Sequence, residues 1–148
     1  MARYYTRIRF HVIFATKARR RLITPEFETR LFPYLCGIAR SNGGKLVAVN
    51  GVEDHIHMLL GMTPDTSLST LVRLLKCVSS RWARFEIDRR FAWQPGYAAF
   101  SVSHSVEKKV IGYIKRQKEH HKKSCFEDEV RLLLKLHGVT DVVGRLEF

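Results

Sequence analysis

His55 and His57 in "GVEDHIHMLLG", with Tyr113 and Gln117 in "GYIKRQ", are the residues whose types and spacing could do chemistry. Side chains on a β-strand alternate, so His55, His57 and Leu59 share one face and Ile56, Met58 and Leu60 the other. Two neutral imidazoles at i and i+2 on such a rigid platform can donate lone pairs to one divalent cation. Tyr113 and Gln117 stand one helical turn apart, about 5–6 Å at Cβ, so the phenol and the amide project from one helix face. Gln117 could add a carbonyl oxygen, and open positions would admit water and a phosphate oxygen, letting the ion offset transition-state charge. Tyr113, whose free pKa is about 10, would be the attacking oxygen once deprotonated or hydrogen-bonded to a base. Each part also has a plainer reading. The histidine pair could be packing or surface, Tyr113 a core ring with its hydroxyl at the rim, and Gln117 a partner for a backbone carbonyl. His120 and His121 read as a solvated or phosphate-facing helix end. Taken together, the four favour a metal-assisted nucleophilic site.

These side chains need a strand and a helix to hold them. Residues 4–14 alternate as a strand, with Tyr4, Thr6, Ile8, Phe10 and Val12 on one face. "TPEFETRLFPYLCGIARSNGG" opens a helix on Thr24 as N-cap and Pro25 at the first position, with Pro33 inside it to bend or split it. Two antiparallel strands follow, roughly 45–50 and 54–62, joined by the Asn50-Gly51 turn region. Leu68, Leu71, Val72, Leu75, Val78, Trp82 and Phe85 recur at helical spacing, with Arg73, Lys76, Ser80 and Arg84 opposite. A short strand is expected near Tyr97 to Ser101, then a third helix capped by Ser103 or Ser105 and running to about Lys122. Its inward stripe is Val106, Val110, Tyr113, Ile114, Gln117 and His121. A last short helix is acidic at its start and ends at Gly138. The order β-α-β-β-α-β-α predicts an α+β fold: a ferredoxin-like, split βαβ antiparallel sheet with an appended helix carrying the tyrosine. The 148 residues read as one domain, with a C-terminal helix and tail from about residue 126.

Composition bounds the partner. Lys and Arg number 26 against 14 Asp and Glu, giving +12 and a pI near 10.1, so a polyanion is the first partner to consider. Seven of these cations fall in the first 25 residues, where there is no acid, so the basic surface is local. Cys36, Cys77 and Cys125 form no C-x-x-C pair and read as reduced, half-buried thiols. No apolar run approaches the roughly 18 residues of a membrane span, and Arg7, Arg9 and His11 interrupt the first apolar stretch, which points to a cytoplasmic protein.

The His-hydrophobe-His motif and the Tyr-x-x-x-Gln that follows it resemble those of the single-tyrosine HUH transposases. These serve the smallest insertion sequences (the 200/605 group) and include the REP-associated tyrosine transposases. "HVIFATKARRR", "SLSTLVRLLKCVSSRW", "WQPGYAAFSVS" and "YIKRQKEHHKKSCFEDEVRLLLKLHGV" share the resemblance, whereas the final "DVVGRLEF" departs from the family's aromatic-rich ending. The resemblance implies a DNA transposase that cleaves and rejoins single-stranded DNA at hairpin-marked element ends. Tyr113 would be the nucleophile, forming a 5′-phosphotyrosine, and His55, His57 and Gln117 would hold Mg²⁺ or Mn²⁺. It also implies a homodimer, with the tyrosine helix serving its own or its partner's histidine pair. Phosphate contacts are expected from Arg7, Arg9, Lys17, Arg19, Arg20, Arg21, Arg73, Lys76, Arg81, Lys115 and His121. Two alternatives stay open: a domesticated HUH nicking enzyme, and a catalytically inactive basic nucleic-acid-binding module. The presence of all four motif residues disfavours the second.

Overall fold

A computed structural model describes residues 2–140. The expectation for the closing "DVVGRLEF" lies outside the described residues. The elements are β1 (Ile8–Ala15), α1 (Pro25–Ser41), β2 (Gly44–Gly51), β3 (His55–Met62), α2 (Leu68–Glu86), β4 (Ala98–Ser101), α3 (Glu107–Lys115), α4 (Gln117–His120) and α5 (Phe126–Leu136). The sheet runs β2-β3-β1-β4 with antiparallel neighbours throughout. This is the strand order of the split βαβ fold expected from the sequence.

On one face, Val12, Phe14, Ile56, Met58 and Leu60 pack against Phe27, Leu31 and Leu35 of α1, Leu71 and Leu75 of α2, and Phe91 and Trp93. Aromatic edges meet faces there, with ring centroids 4.8 Å apart for Phe14–Trp93 and 5.3 Å for Phe27–Phe91. Thr24 caps α1 by accepting from the Phe27 N–H, and Ser67 caps α2 by accepting from Thr70. Pro33 leaves α1 unsplit.

Several expectations need correction. The first strand starts at Ile8, leaving Tyr4 and Thr6 outside it, and Tyr4 is exposed. Asn50 and Gly51 are paired strand residues opposite His57 and Ile56, so the turn falls at 52–54. A Cβ on Gly51 would lie 2.3 Å from the His55 carbonyl oxygen, so close backbone approach, not turn geometry, demands glycine there. Phe85 is 91% exposed, because α2 has rotated it past the edge of the apolar stripe, while Ser80 on the expected polar face is buried. Cys77 and Cys125 are exposed rather than half-buried; Cys36 is intermediate. The third helix is not continuous to Lys122. It breaks at Arg116 (φ −97°, ψ 16°), and Ser103 begins a short 3-10 turn without making a side-chain cap bond. The break is held by Asn50, whose Nδ2 donates to the Ile114 and Lys115 carbonyls at 3.0 Å each, taking up acceptors that an unbroken helix would have used.

Candidate active site and metal centre

The face of the sheet away from α1 and α2 carries His11, Ile13, Ala15, His55, His57, Leu59 and Phe100, and is covered by α3, α4 and α5. Register brings the imidazoles together, since His57 pairs with Ile13 and Leu59 with His11 across the β1–β3 ladder. His55 and His57 are both fully buried. Each ring is fixed through Nδ1: Asp54 Oδ1 lies 2.7 Å from that of His55, and His11 Nε2 lies 2.9 Å from that of His57. Such outer partners orient a ring and leave the Nε2 lone pair for a ligand. Both Nε2 atoms are buried without a hydrogen-bond partner, as is Gln117 Oε1.

The imidazoles face Glu129, on the first turn of α5. Its Oε1 is 3.4 Å from His57 Nε2 and its Oε2 is 3.8 Å from His55 Nε2. Tyr113 Oη donates to Oε1, Gln117 Nε2 donates to the same oxygen at 2.9 Å, and His121 Nε2 lies 2.6 Å from Oε2. Donor atoms of His55, His57, His121 and Glu129 all fall within 4.8 Å of one another. The helix break therefore does not separate Tyr113 from Gln117, because both reach one carboxylate. The Tyr113 ring packs edge-on against His57, with centroids 5.8 Å apart, and against His11 at 5.9 Å, so within a single chain the phenol lies beside its own histidine pair. The apolar side of α5 fixes Glu129 here. Phe126 and Val130 are buried against Ile13, Ala15, Ala98 and Phe100, and the Arg19 guanidinium stands 4.7 Å over the Phe126 ring.

Burial sets the charge states. It lowers His11 to about 3, with His57 adding to the effect, and lowers His57 to about 4, so both are neutral at pH 7. Burial acts against protonation of His55 too, but the Asp54 hydrogen bond and the nearby Glu129 carboxylate outweigh it and raise that pKa. Burial also opposes ionisation of Glu129; His121, His55 and His57 overcome this and hold the carboxyl well below its usual range. The Tyr113 phenol is pushed up by burial and then by Glu129, so it keeps its proton. Two imidazoles with unsatisfied buried lone pairs beside an ionised carboxylate are a donor set that suits a divalent cation.

The four residues singled out for chemistry are thus brought together. His121, expected on the inward stripe of the third helix and at phosphate, joins them and also lines the basic cavity beside the site. Sequence reasoning missed His11, Asp54 and Glu129 as members of the site. The alternation of β1 that put Phe10 and Val12 on one face also put His11 on the other, whereas the acids at the start of α5 read only as complements to a helix dipole.

The expected phosphate contacts do not form one surface. Arg19, Arg21 and His121 line a cavity of about 720 Å³ beside the site, together with Lys118, Lys122 and Lys123. Arg19 is tied to Asp54 at 3.4 Å, and Ala18 and Arg19 both have φ of 54°, a left-handed conformation that costs roughly 1 kcal/mol or more for a residue with a Cβ. Lys17 and Arg20 are exposed nearby. Arg7 and Arg9 pair with Glu107. Arg73 and Lys76 line a second cavity, of about 410 Å³, on the α2 side, where Lys76 Nζ donates to the Gln94 and Gly96 carbonyls at 2.6 Å each. Arg81 and Lys115 are exposed elsewhere. Among the described residues no helix is long and apolar enough to cross a membrane.

Comparison with known proteins places the chain in a family. Residues 4–117 match the family described as "Transposase IS200 like". The chain is 27% identical over 121 residues to the ISDra2 transposase TnpA of Deinococcus radiodurans, covering 77% of this chain and 86% of that protein. It is 29% identical over 121 residues to the transposase for insertion sequence element IS200 of Salmonella typhimurium, covering 77% and 79%. A crystal structure assigned to a transposase from Deinococcus radiodurans superposes with a TM-score of 0.65 at 30% identity, covering 79% of this chain and 96% of that one. The fold is also that of a REP-associated tyrosine transposase bound to a REP hairpin, with a TM-score of 0.63 at 16% identity over 100% of this chain and 93% of the other. With more than three quarters of its length inside the family match, this chain belongs to the IS200-like transposase family.

Proposed function

We propose that the chain is a metal-dependent transposase that cleaves and rejoins single-stranded DNA at hairpin-marked ends through a 5′-phosphotyrosine on Tyr113. The observation that carries the reading is the convergence of Tyr113 Oη and the two unpartnered Nε2 atoms of His55 and His57 on one buried point. Mg²⁺ or Mn²⁺, when bound by the imidazoles, would polarise the scissile phosphodiester and neutralise charge in its transition state. His11 and Asp54 hold the two rings in the orientation that leaves Nε2 free. Tyr113 attacks phosphorus; the Oη–P bond forms as the bond to the 3′ oxygen breaks, and the released 3′ oxygen takes up a proton. The phenolic hydrogen is already directed to Glu129, the nearest acceptor. A 3′-OH later attacks the phosphotyrosine, restoring a phosphodiester and the free phenol, so the ester linkage itself stores the energy for rejoining.

The cavity lined by Arg19, Arg21, Lys118, Lys122 and Lys123 supports a path for the strand's phosphates into the site. The protein acts as a cytoplasmic homodimer in this reading, on hairpin DNA of the kind held by the REP-associated relative. The test is a hairpin oligonucleotide with a single-stranded flank, incubated in Mn²⁺ and resolved by denaturing electrophoresis. Wild type should give a covalent adduct, and Tyr113→Phe none while binding the oligonucleotide nearly as well. Adduct persisting in Tyr113→Phe would point to another nucleophile and defeat the assignment.

A further inference from the structure

We infer that Glu129, from α5 and beyond the segment matching the family, supplies the oxygen ligand of the cation site in place of Gln117, and that Gln117 and His121 are positioning residues for its carboxylate. The inference rests on the metal-dependent reading above and changes which residues hold the ion. Ligand atoms about 2.1 Å from one small divalent ion lie roughly 3.0–3.4 Å from each other. The pair Glu129 Oε1 and His57 Nε2, at 3.4 Å, has that separation, and Oε2 to His55 Nε2, at 3.8 Å, is only a little wider. His121 Nε2 to Oε2 at 2.6 Å is instead a hydrogen-bond distance, too short for two ligands of one ion, and Gln117 reaches Oε1 at 2.9 Å through its amide nitrogen, a hydrogen-bond donor and not a metal ligand.

The orientation of Gln117 argues the same way. Its amide nitrogen, a donor, is turned to Glu129, while its oxygen is buried without a partner. Exchanging the two atoms would set the amide oxygen against the carboxylate, acceptor facing acceptor, and break the bond that holds Glu129 from that side. Charge favours the carboxylate as well. Two neutral imidazoles and an amide would leave a buried dication uncompensated, and one ionised oxygen ligand halves that charge. The resulting set, two histidines and one carboxylate, leaves open positions on the ion for phosphate and water. Phe126 and Val130 seat α5 against Ile13, Ala15, Ala98 and Phe100, and the Phe126 ring also lies 4.3 Å from that of His55, so Glu129 is presented before any ion arrives. Cation uptake and the docking of α5 are thereby linked, each stabilising the other.

The test is calorimetric titration of Mn²⁺ into the full chain at pH 7.5 for wild type, Glu129→Gln and Gln117→Ala, with circular dichroism melts in chelator confirming that each variant is folded. Glu129→Gln should weaken Mn²⁺ binding about 100-fold or more and Gln117→Ala less than about tenfold, as expected of a ligand and an outer-shell partner. Hydrogen exchange on the wild type needs no variant: Mg²⁺ should slow amide exchange across Phe126–Leu136. Wild-type-like Mn²⁺ affinity in Glu129→Gln, a larger loss in Gln117→Ala, no Mn²⁺ uptake by the wild type, or Mg²⁺ protection confined to Gln117–His120 would each overturn the inference. The transposase reading fails separately, on absence of a Tyr113 adduct. Mn²⁺ binding lost in Glu129→Gln by a protein that forms no adduct would preserve this assignment while removing that one.

Discussion

On the α1 and α2 side of the sheet, Ile56, Met58 and Leu60 of β3 are buried in the main apolar cluster. On the other side the same strand turns His55 and His57 toward His11, Tyr113, Gln117, His121 and Glu129. One strand therefore serves two environments that differ by a single residue of register. The apolar face gains from every methylene it buries. The histidine face holds imidazole lone pairs that no protein donor satisfies, an arrangement that costs folding free energy and makes sense only if something else binds there. Substitutions on the two faces should accordingly fail in different ways.

The largest effect is expected at His57. His57→Ala removes an imidazole donor, and with it a transition-state interaction worth several kcal/mol, so the cleavage rate in Mn²⁺ should fall by about 10³-fold or more. Single-turnover kinetics on a hairpin oligonucleotide measure this. Leu60→Ala, three residues on and so in the other environment, should cost about 2–5 kcal/mol of stability by urea denaturation. Its cleavage rate per folded molecule should stay near wild type. A Leu60→Ala protein that is stable but inactive would break the contrast between the faces.

Acid titration separates the faces next. His11 and His57 have folded values of about 3 and 4, below the ordinary 6.5, so the unfolded chain binds protons first. Their sign is that stability of the chelated protein falls as pH drops below about 6.5, by roughly 1–2 kcal/mol per histidine by pH 5. His55 works the other way, since its raised folded value stabilises the protein below pH 6.5 and that gain is lost at higher pH. His11→Gln should flatten the net slope between pH 6.5 and 5 in urea melts; an unchanged slope would mean the buried imidazoles are not the source. The smallest effect concerns the helix that carries the nucleophile. A Cβ at Gly112 would meet only the Arg116 guanidinium, at 3.2 Å and movable, so Gly112→Ala should raise stability by about 0.5–1 kcal/mol. A loss of stability on thermal melting would reveal a packing demand on Gly112.

Much of this was legible because period and caps are local. The alternation of β3, the Thr24-Pro25 start of α1 and the heptad-like stripe of α2 are set by neighbours in sequence, and the elements formed there. The break at Arg116 was not legible, because Asn50, more than 60 residues away, provides the donor that ends α3. His11 carried a usable signal in the alternation of β1, but its meaning depends on β1 lying beside β3, a matter of strand order. Glu129 carried none that distinguishes it from Glu127 and Asp128. All three suit a helix N-terminus, and only the docking of α5 through Phe126 and Val130 selects which of them faces the imidazoles.

In the proposed reaction the histidine face delivers a phosphate to Tyr113. The most direct test is mass spectrometry of the covalent adduct after trypsin, which should cut after Lys109 and Lys115 to release "VIGYIK". The predicted result is a nucleotide 5′-phosphate on that peptide, localised to Tyr113 and dependent on Mg²⁺ or Mn²⁺. Nucleotide on the peptide containing Tyr97, or an adduct that forms equally well in chelator, would contradict it.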